Sequence, residues 1–533
     1  MNYDHHAGDF QLVVEREKPS AFTSGMLKLY FVLFFAFWGS AMNGYDGSLM
    51  ATIYSMDQFK KFTGYGQESA EMSVLTALYP IGCLVAAVFG GPLSDTWGRK
   101  AGMGIGCVVV ILGTGLLALS PQENFVAYWY AGRFFCGFGV TIATIAAPAY
   151  VIELSHPLYR GTIGGVYNTL WFIGNIICFW VGAWTKNYTD SDFSWRIPVW
   201  FQLVPATIIL CGLAIMPESP RWLISVGMTE EAREILVKYH ADGNEDSELV
   251  ALEFNHMIET IRTDASDKRF YDYSEVFTTR NARYRFLMVF LISFFGQFSG
   301  NQIFSYFQST AYEAAGWGDR SHIFQAVLSV LQFMVALIGA RLTDRMGRRK
   351  LVITGTLMLS VFLAVISVAS WRVNPEGKQW KLEDPKRAVM SDAEKKNVAD
   401  NYQWASYMYV VGLYLFQLTY ALAWTPVQAL YPVECLATST RAKGLGLSNL
   451  VVYIMLLVNF FAVPLGITKI GFKFYIIYIV WNLVEAILLY FFMVETKGLT
   501  LEELDEVFSA PNPRKTSLRI LKDVENSSYY DDY

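Results

Sequence analysis

The chain has 533 residues, of which 53% are hydrophobic, 16% aromatic and only 17% charged. A soluble globule carries about a quarter charged residues, so the composition excludes a string of water-soluble domains. The net charge of −5 comes with no basic arm, which excludes a nucleic-acid partner.

Residues 1–27 form a polar N-terminal tail of mixed sign, which is not a signal-peptide layout. Apolar runs of about 20 residues, the length a membrane helix needs, then follow near 28–50, 72–92, 102–120, 126–152, 163–184 and 197–216. A polar linker occupies 217–284, and within it MTEEAREILVKYH (228–240) has the period of an amphipathic helix, part of a small bundle bracing the halves. Six more runs lie near 286–312, 322–342, 351–371, 404–432, 445–467 and 473–493, before a tail at 494–533. The runs are twice the length of barrel strands. The expected fold is therefore an all-α membrane protein of twelve spans in two six-helix halves, 28–216 and 285–493, with a small helical insert. Loops after spans 2, 4, 8 and 10 carry ten Lys and Arg residues against seven in the short loops opposite, which places both termini in the cytosol. Asn187, in the sequon Asn187-Tyr188-Thr189, then lies outside as a glycosylation acceptor, whereas Asn526 lies in the cytosolic tail and is expected to stay unused.

The two halves share wording. SDTWGRK (94–100) returns as TDRMGRRK (343–350), so Asp95, Gly98 and Arg99 correspond to Asp344, Gly347 and Arg348. Glu153 and Arg160 stand seven apart after span 4, as Glu434 and Arg441 do after span 10; PESPRWL (217–223) and VETKGLT (494–500) close the halves. A polar loop at about 372–403 accounts for the change of shift between these echoes. The repeated charges are expected to form a cytosolic gate. Arg99 and Arg160 would pair with Glu153 and Glu218, and Arg348 and Arg441 with Glu434 and Glu495, when the halves close on that side. Two like halves rocking about a central site is the architecture of alternating access.

These motifs, together with RFFCGFGV (133–140), PAYVIELSHPLYRG (148–161), GQFSGNQIFSYF (296–307), PVECLATSTRAKG (432–444) and VETKGLTLEELDEVF (494–508), resemble the sugar porter family of the major facilitator superfamily. The second-half wording is most similar to the fungal lactose-permease-like branch. The resemblance implies a sugar substrate, a disaccharide in that branch, and a buried Asp–Arg pair as the proton-coupling element of symporters. Asp46 in span 1 and Arg133 in span 4 occupy those positions at similar depth, and a lone carboxylate in a span is costly and usually functional. A structural buried pair, kept also by facilitators, is the other reading.

Sugars call for amides that both donate and accept, and for aromatic faces. Span 5 offers Asn168 and Asn175; span 7 offers Gln297, Asn301, Gln302 and Tyr306; span 10 offers Trp424 and Gln428; span 11 offers Asn449, Tyr453 and Asn459. Each has helix packing as its alternative role. Typical hexose carriers of the family have Gln at both span-5 positions, a second Gln at position 296, and Trp at 429. Asn168, Asn175, Gly296 and Ala429 therefore imply a wider or reshaped cavity, unless Trp424 restores the aromatic platform. Glu485, in mid-span 12, reads first as the partner of a neighbouring amide and second as a proton site. The six histidines read as solvated, and the six cysteines as small buried hydrophobes.

No GxxxxGK[ST] loop is present, so ATP is not the expected driver; nor do nucleophile–base or metal-ligand spacings point to an enzyme or a cofactor. The expectation is a proton-coupled sugar carrier, acting as a monomeric unit in the lipid bilayer of the plasma membrane. An uncoupled sugar facilitator and a non-transporting sugar sensor are the alternatives.

Overall fold

The computed structural model describes residue 17 and residues 20–54, 56–65, 70–186, 188, 191–265, 274–314, 317, 320–373, 392–436, 441–497, 499 and 501–520. Among them every element is a helix. Eleven helices are long and apolar enough to cross a membrane. Spans 1 to 5 are Ser24–Ile53, Ala70–Trp97, Arg99–Ala118, Phe125–Leu154 and Arg160–Thr185. Span 6 is made of two pieces, Phe193–Phe201 and Leu203–Leu213, with Gln202 between them. Spans 8 to 12 are Ser321–Met346, Arg348–Val373, Asp392–Cys435, Arg441–Ile470 and Lys473–Phe492.

Span 7 completes the twelve, but not as one helix. It runs as Arg280–Phe298, Asn301–Tyr306 and Gln308–Ala314. Gly300 takes φ of 94°, a left-handed conformation that interrupts the helical ladder and suits only glycine without strain. The amide-rich segment of span 7 therefore sits on a broken backbone. Span 10 extends back to Asp392, into the stretch expected as a loop at about 372–403. The sequons at Asn187 and Asn526 lie outside the described residues.

Large apolar side chains such as Val88, Leu112, Phe193 and Val361 are exposed around the bundle, as lipid-facing residues are. Cys211 is exposed with them, whereas the other five cysteines are buried. Within the first half, small residues allow close approach. A Cβ on Gly44 would stand 1.9 Å from the Trp171 carbonyl oxygen, and one on Gly174 would stand 1.8 Å from that of Ala41. Spans 1 and 5 can touch at this distance only through glycine, and the contact holds Asp46 and Asn175 in register.

The repeated turns explain themselves in the structure. Gly98 and Gly347, with φ of 97° and 87°, turn the chain between spans 2 and 3 and between spans 8 and 9. Just after each glycine, backbone N–H groups at the start of the next span point at a carboxylate. Glu218 accepts from Arg99 N at 3.1 Å and Lys100 N at 3.3 Å, and Glu495 accepts from Arg348 N at 2.8 Å and Arg349 N at 3.1 Å. A carboxylate at a helix N-terminus satisfies orphan donors and complements the helix dipole. Burial pushes the Glu218 carboxyl up, opposed by the N–H groups of Ser219, Lys100 and Arg99 and the charge of Lys100.

The guanidinium groups complete each network. Arg99 donates to both oxygens of Glu153 at 3.0 and 2.9 Å, and Arg348 donates to both oxygens of Glu434 at 3.1 and 2.7 Å. Ser219 donates to Glu153 at 2.5 Å and Thr496 to Glu434 at 2.6 Å. Asp95 and Asp344 add outer, exposed ion pairs to the same arginines.

The expected gate is corrected here in two respects. The Arg99–Glu153 and Arg348–Glu434 pairs form as expected, but they form while the halves touch at the other end of the bundle. Arg160 pairs with Glu253 of the linker at 3.5 Å, not with Glu153 or Glu218. The Arg441 side chain lies outside the described residues.

The linker folds into helices Pro220–Ser225, Thr229–His240 and Glu248–Ala265 around a small apolar core. These three helices bond the first half, while Glu275, farther along the linker, accepts from Lys443 of span 11 at 3.2 Å. Asp242 accepts from Gly25 N at the start of span 1, and His240 Nε2 bonds the Leu154 carbonyl at the end of span 4. His156 and His240 are buried, contrary to the solvated reading, with ring centroids 5.0 Å apart. Burial first, then His240 and Arg160, lower the His156 pKa to about 4, with Glu253 opposing. The turn between spans 4 and 5 enters the linker interface, which no local pattern announces.

Candidate substrate site

The halves meet at the end away from the glycine turns. Ser309 in span 7 donates to the Ala51 carbonyl in span 1 at 2.7 Å, and Gln325 in span 8 donates to Ser309 at 3.0 Å. Ala51, Phe179 and Ala326 pack together beside them. Between the halves lies a cavity of about 370 Å³.

Its lining is amide-rich and uncharged. Asn43, Ser48, Tyr79, Thr141, Thr144 and Asn175 face it from the first half; Gln297, Asn301, Gln302, Ser305, Gln308, Gln332, Gln417, Tyr420, Thr425, Gln428, Asn449 and Tyr453 face it from the second. Ten of these are Asn or Gln, while among the described residues no Asp, Glu, Lys, Arg or His lines the cavity. Trp171, Phe172, Phe179 and Phe304 supply aromatic faces. Asn175 donates to Ser48 at 2.7 Å, leaving its Oδ1 buried without a partner. Gln302 donates to Gln297 and keeps a free buried Oε1. A neutral wall of amides, each able to donate and accept, suits a polyhydroxyl solute.

The structure thus brings Asn175, Gln297, Asn301, Gln302, Gln428, Asn449 and Tyr453 to one cavity. Three expected residues stand away from it. Asn168 shares a helix face with Asn175 but lies two turns nearer the turn end, about 10 Å along the axis, and is exposed there. Trp424 is fully buried and donates to Thr356 of span 9 at 3.2 Å, so its indole fills the packing behind span 10 and gives the cavity no platform. Asn459 donates to the carbonyls of Gln297 and Met455 and accepts from Tyr478, which makes it a tie between spans 7, 11 and 12. The Tyr306 side chain lies outside the described residues.

Two residues that depart from the hexose-carrier pattern also fail to widen the cavity. Ala429 is exposed and does not line it. The space at Gly296 is already taken. A Cβ there would stand 1.7 Å from Gln428 Nε2, so the absence of a side chain in span 7 admits an amide from span 10. The Tyr420 hydroxyl holds that amide, 3.1 Å from Gln428 Oε1 and 2.8 Å from the Gly296 carbonyl oxygen.

Asp46 and Arg133 are both buried behind the first-half wall. No ion pair joins them among the described residues. Gln202, in the break of span 6, donates to Asp46 Oδ1, leaving Oδ2 without a partner. Arg133 lies over the Tyr79 ring at 4.7 Å, with Nε and Nη1 unpartnered. Tyr79 itself lines the cavity. One turn before Gln202, the Pro198 carbonyl accepts from Tyr45 at 2.7 Å, so neighbouring residues of span 1 both anchor on span 6. Sequence reasoning missed Gln202 and Tyr79; the lone amide in VWFQLVPA was the available signal.

A broken-helix bundle whose two like halves enclose one neutral polar cavity defines a multi-pass membrane transporter, not an enzyme. Residues 32–508 match the Sugar (and other) transporter family, and the chain belongs to it, among the sugar porters of the major facilitator superfamily. It is 26% identical over 483 residues to the high-affinity glucose transporter of Kluyveromyces lactis, covering 90% of this chain and 85% of that one. It is 25% identical over 527 residues to a probable quinate permease of Aspergillus niger, covering 94% of each. The inward-open xylose transporter XylE from E. coli shares the fold, with a TM-score of 0.67 at 21% identity over 90% of this chain and 99% of that one.

Proposed function

We propose that the chain carries a neutral sugar together with a proton into the cytosol, with the glycine turns on the cytosolic face. The observation that carries this reading is the charge-free, amide-lined cavity, with a buried carboxylate and guanidinium held just behind its wall. A carboxylate substrate such as quinate needs a cationic partner, and the lining offers none. Ten amides outnumber the hydroxyls one hexose ring can engage, which favours a disaccharide.

Coupling follows from the placement of Asp46. The separated pair fits a protonated Asp46, held by Gln202, with Arg133 released onto Tyr79. Ionised, Asp46 attracts Arg133 and draws it off the cavity-lining ring. Sugar contact with Tyr79 and proton occupancy of Asp46 thereby act on one side chain, Arg133. The halves joined at Ser309 and Ala51 then represent the state closed to the outside.

Uptake of labelled cellobiose, glucose and quinate into vesicles tests the substrate class. Cellobiose uptake driven by an imposed proton gradient is the expected result. Uptake of quinate in preference to both sugars would overturn the neutral-cavity argument. The second reading is uncoupled facilitation, and equal uptake with and without the gradient would establish it.

A further inference from the structure

We propose that Glu485, in the middle of span 12, is a second proton site: a carboxylic acid that keeps its proton throughout the transport cycle. The proposal goes beyond the Asp46 reading and stands on different residues. Glu485 is fully buried beside the Trp481 indole, and neither carboxyl oxygen has a partner in full hydrogen-bond geometry. Two neighbours on the same helix face are unsatisfied in complementary ways. The Trp481 indole, one turn back, has an N–H without an acceptor, and Asn482 has a buried Oδ1 without a donor.

One chemical species at position 485 completes all three groups. A neutral carboxylic acid accepts from Trp481 through its carbonyl oxygen and donates its hydroxyl to Asn482 Oδ1. A carboxylate has no donor to offer and sets an anion beside an orphan acceptor. Burying an unpaired carboxylate away from water is far more costly than keeping its proton.

Among the described residues the surroundings supply no countercharge. Spans 7, 9, 10 and 11 bring Ser299, Ser360, Tyr409 and Asn459 to span 12. Arg349 and Arg514 bond the Tyr490 carbonyl, more than a turn from Glu485 toward the turn end. Tyr478, two turns back on span 12, is a neutral phenol that donates to Asn459. Glu485 does not line the cavity.

The placement gives the proton a task. Asn482 donates to the Ser299 carbonyl beside the left-handed Gly300, and Tyr478 donates to Asn459, which in turn holds the Gln297 carbonyl. The protonated face of span 12 thus fixes the broken segment of span 7 that carries the cavity amides.

Infrared difference spectroscopy on the full chain in lipid tests this. At pH 8, wild type minus E485Q is expected to show the carbonyl stretch of a protonated carboxylic acid. Protein made with carboxyl-13C glutamate is expected to show that band at lower frequency, a readout that needs no variant. If the labelled and unlabelled proteins show no glutamic-acid band that shifts, Glu485 is ionised and the proposal fails. E485Q offers an acceptor and a donor in the same shape, so it is expected to concentrate sugar to within twofold of wild type. Loss of accumulation with exchange intact would mean the proton is transported, and would overturn its residence.

Discussion

Replacing Gly296 with alanine tests how the cavity is built. The new Cβ would stand 1.7 Å from Gln428 Nε2 and 2.6 Å from its Cδ, distances no side chain can hold. The Gln428 amide must therefore leave its place, losing the Tyr420 contact at 3.1 Å and its position in the cavity wall. One neutral hydrogen bond to the substrate is worth about 1 kcal/mol, so KM for sugar exchange is expected to rise roughly 5-fold. Gln428→Ala removes the same amide directly and is expected to cost about as much. The double variant is then no worse than either single one, because both act by evicting one group. Independent effects would instead multiply to roughly 25-fold, and neighbouring residues depart from that product when they share an interaction. Exchange of labelled sugar across vesicles, normalised to transporter content, measures all three constants. A normal KM in Gly296→Ala, or a product in the double variant, would refute the view that Gly296 exists to admit Gln428.

The charge networks inside the halves give a second expectation. Arg99→Ala and Arg348→Ala each leave a mostly buried glutamate unpaired, costing about 2–3 kcal/mol after allowance for partial exposure. Since the networks form in different parts of the bundle, their effects on thermal stability should add; a non-additivity above about 1 kcal/mol would show that the two networks act as one gate. The linker interface should weaken in acid. An unfolded chain protonates His156 near 6.5, whereas the folded chain does so only near 4, so stability falls as pH drops through that window. Thermal midpoints measured from pH 7 to 4 should show a steeper loss in wild type than in His156→Gln, and parallel curves would remove His156 from the account. Finally, Asn459→Leu should reduce stability more than sugar affinity, because Asn459 ties helices and does not line the cavity; a KM effect without a stability effect would reverse that assignment.

Much of this architecture was legible in the chain because it rests on local rules. Apolar run length gave the spans, and the repeated Gly-Arg turns gave the twofold design. The glycine in each turn needs positive φ, and the arginine after it needs a carboxylate at a fixed distance along the next helix. Which carboxylate was less legible. Arg160 turns to Glu253 because the linker docks on the first half, a long-range event no spacing announces. Helical period put Asn168 on the right face yet could not say where the cavity ends. Trp424 sits one turn from Gln428, but the helix turns its indole to span 9. Gln202 and Tyr79 were hidden for the same reason: each acts on a charged residue of another span, Asp46 or Arg133.

The central claim is that Asp46 couples the proton to the sugar, and Asp46→Asn tests it most directly. The amide keeps an oxygen for Gln202 and preserves the packing, while removing the titratable proton. In vesicles carrying about 100 mV, a charge crossing the membrane supplies about 2.3 kcal/mol, enough for roughly 50-fold accumulation by a one-proton symporter. The account predicts that Asp46→Asn exchanges labelled sugar across the membrane but accumulates none, so the ratio of inside to outside concentration settles at unity. Accumulation by Asp46→Asn at the wild-type ratio would contradict it.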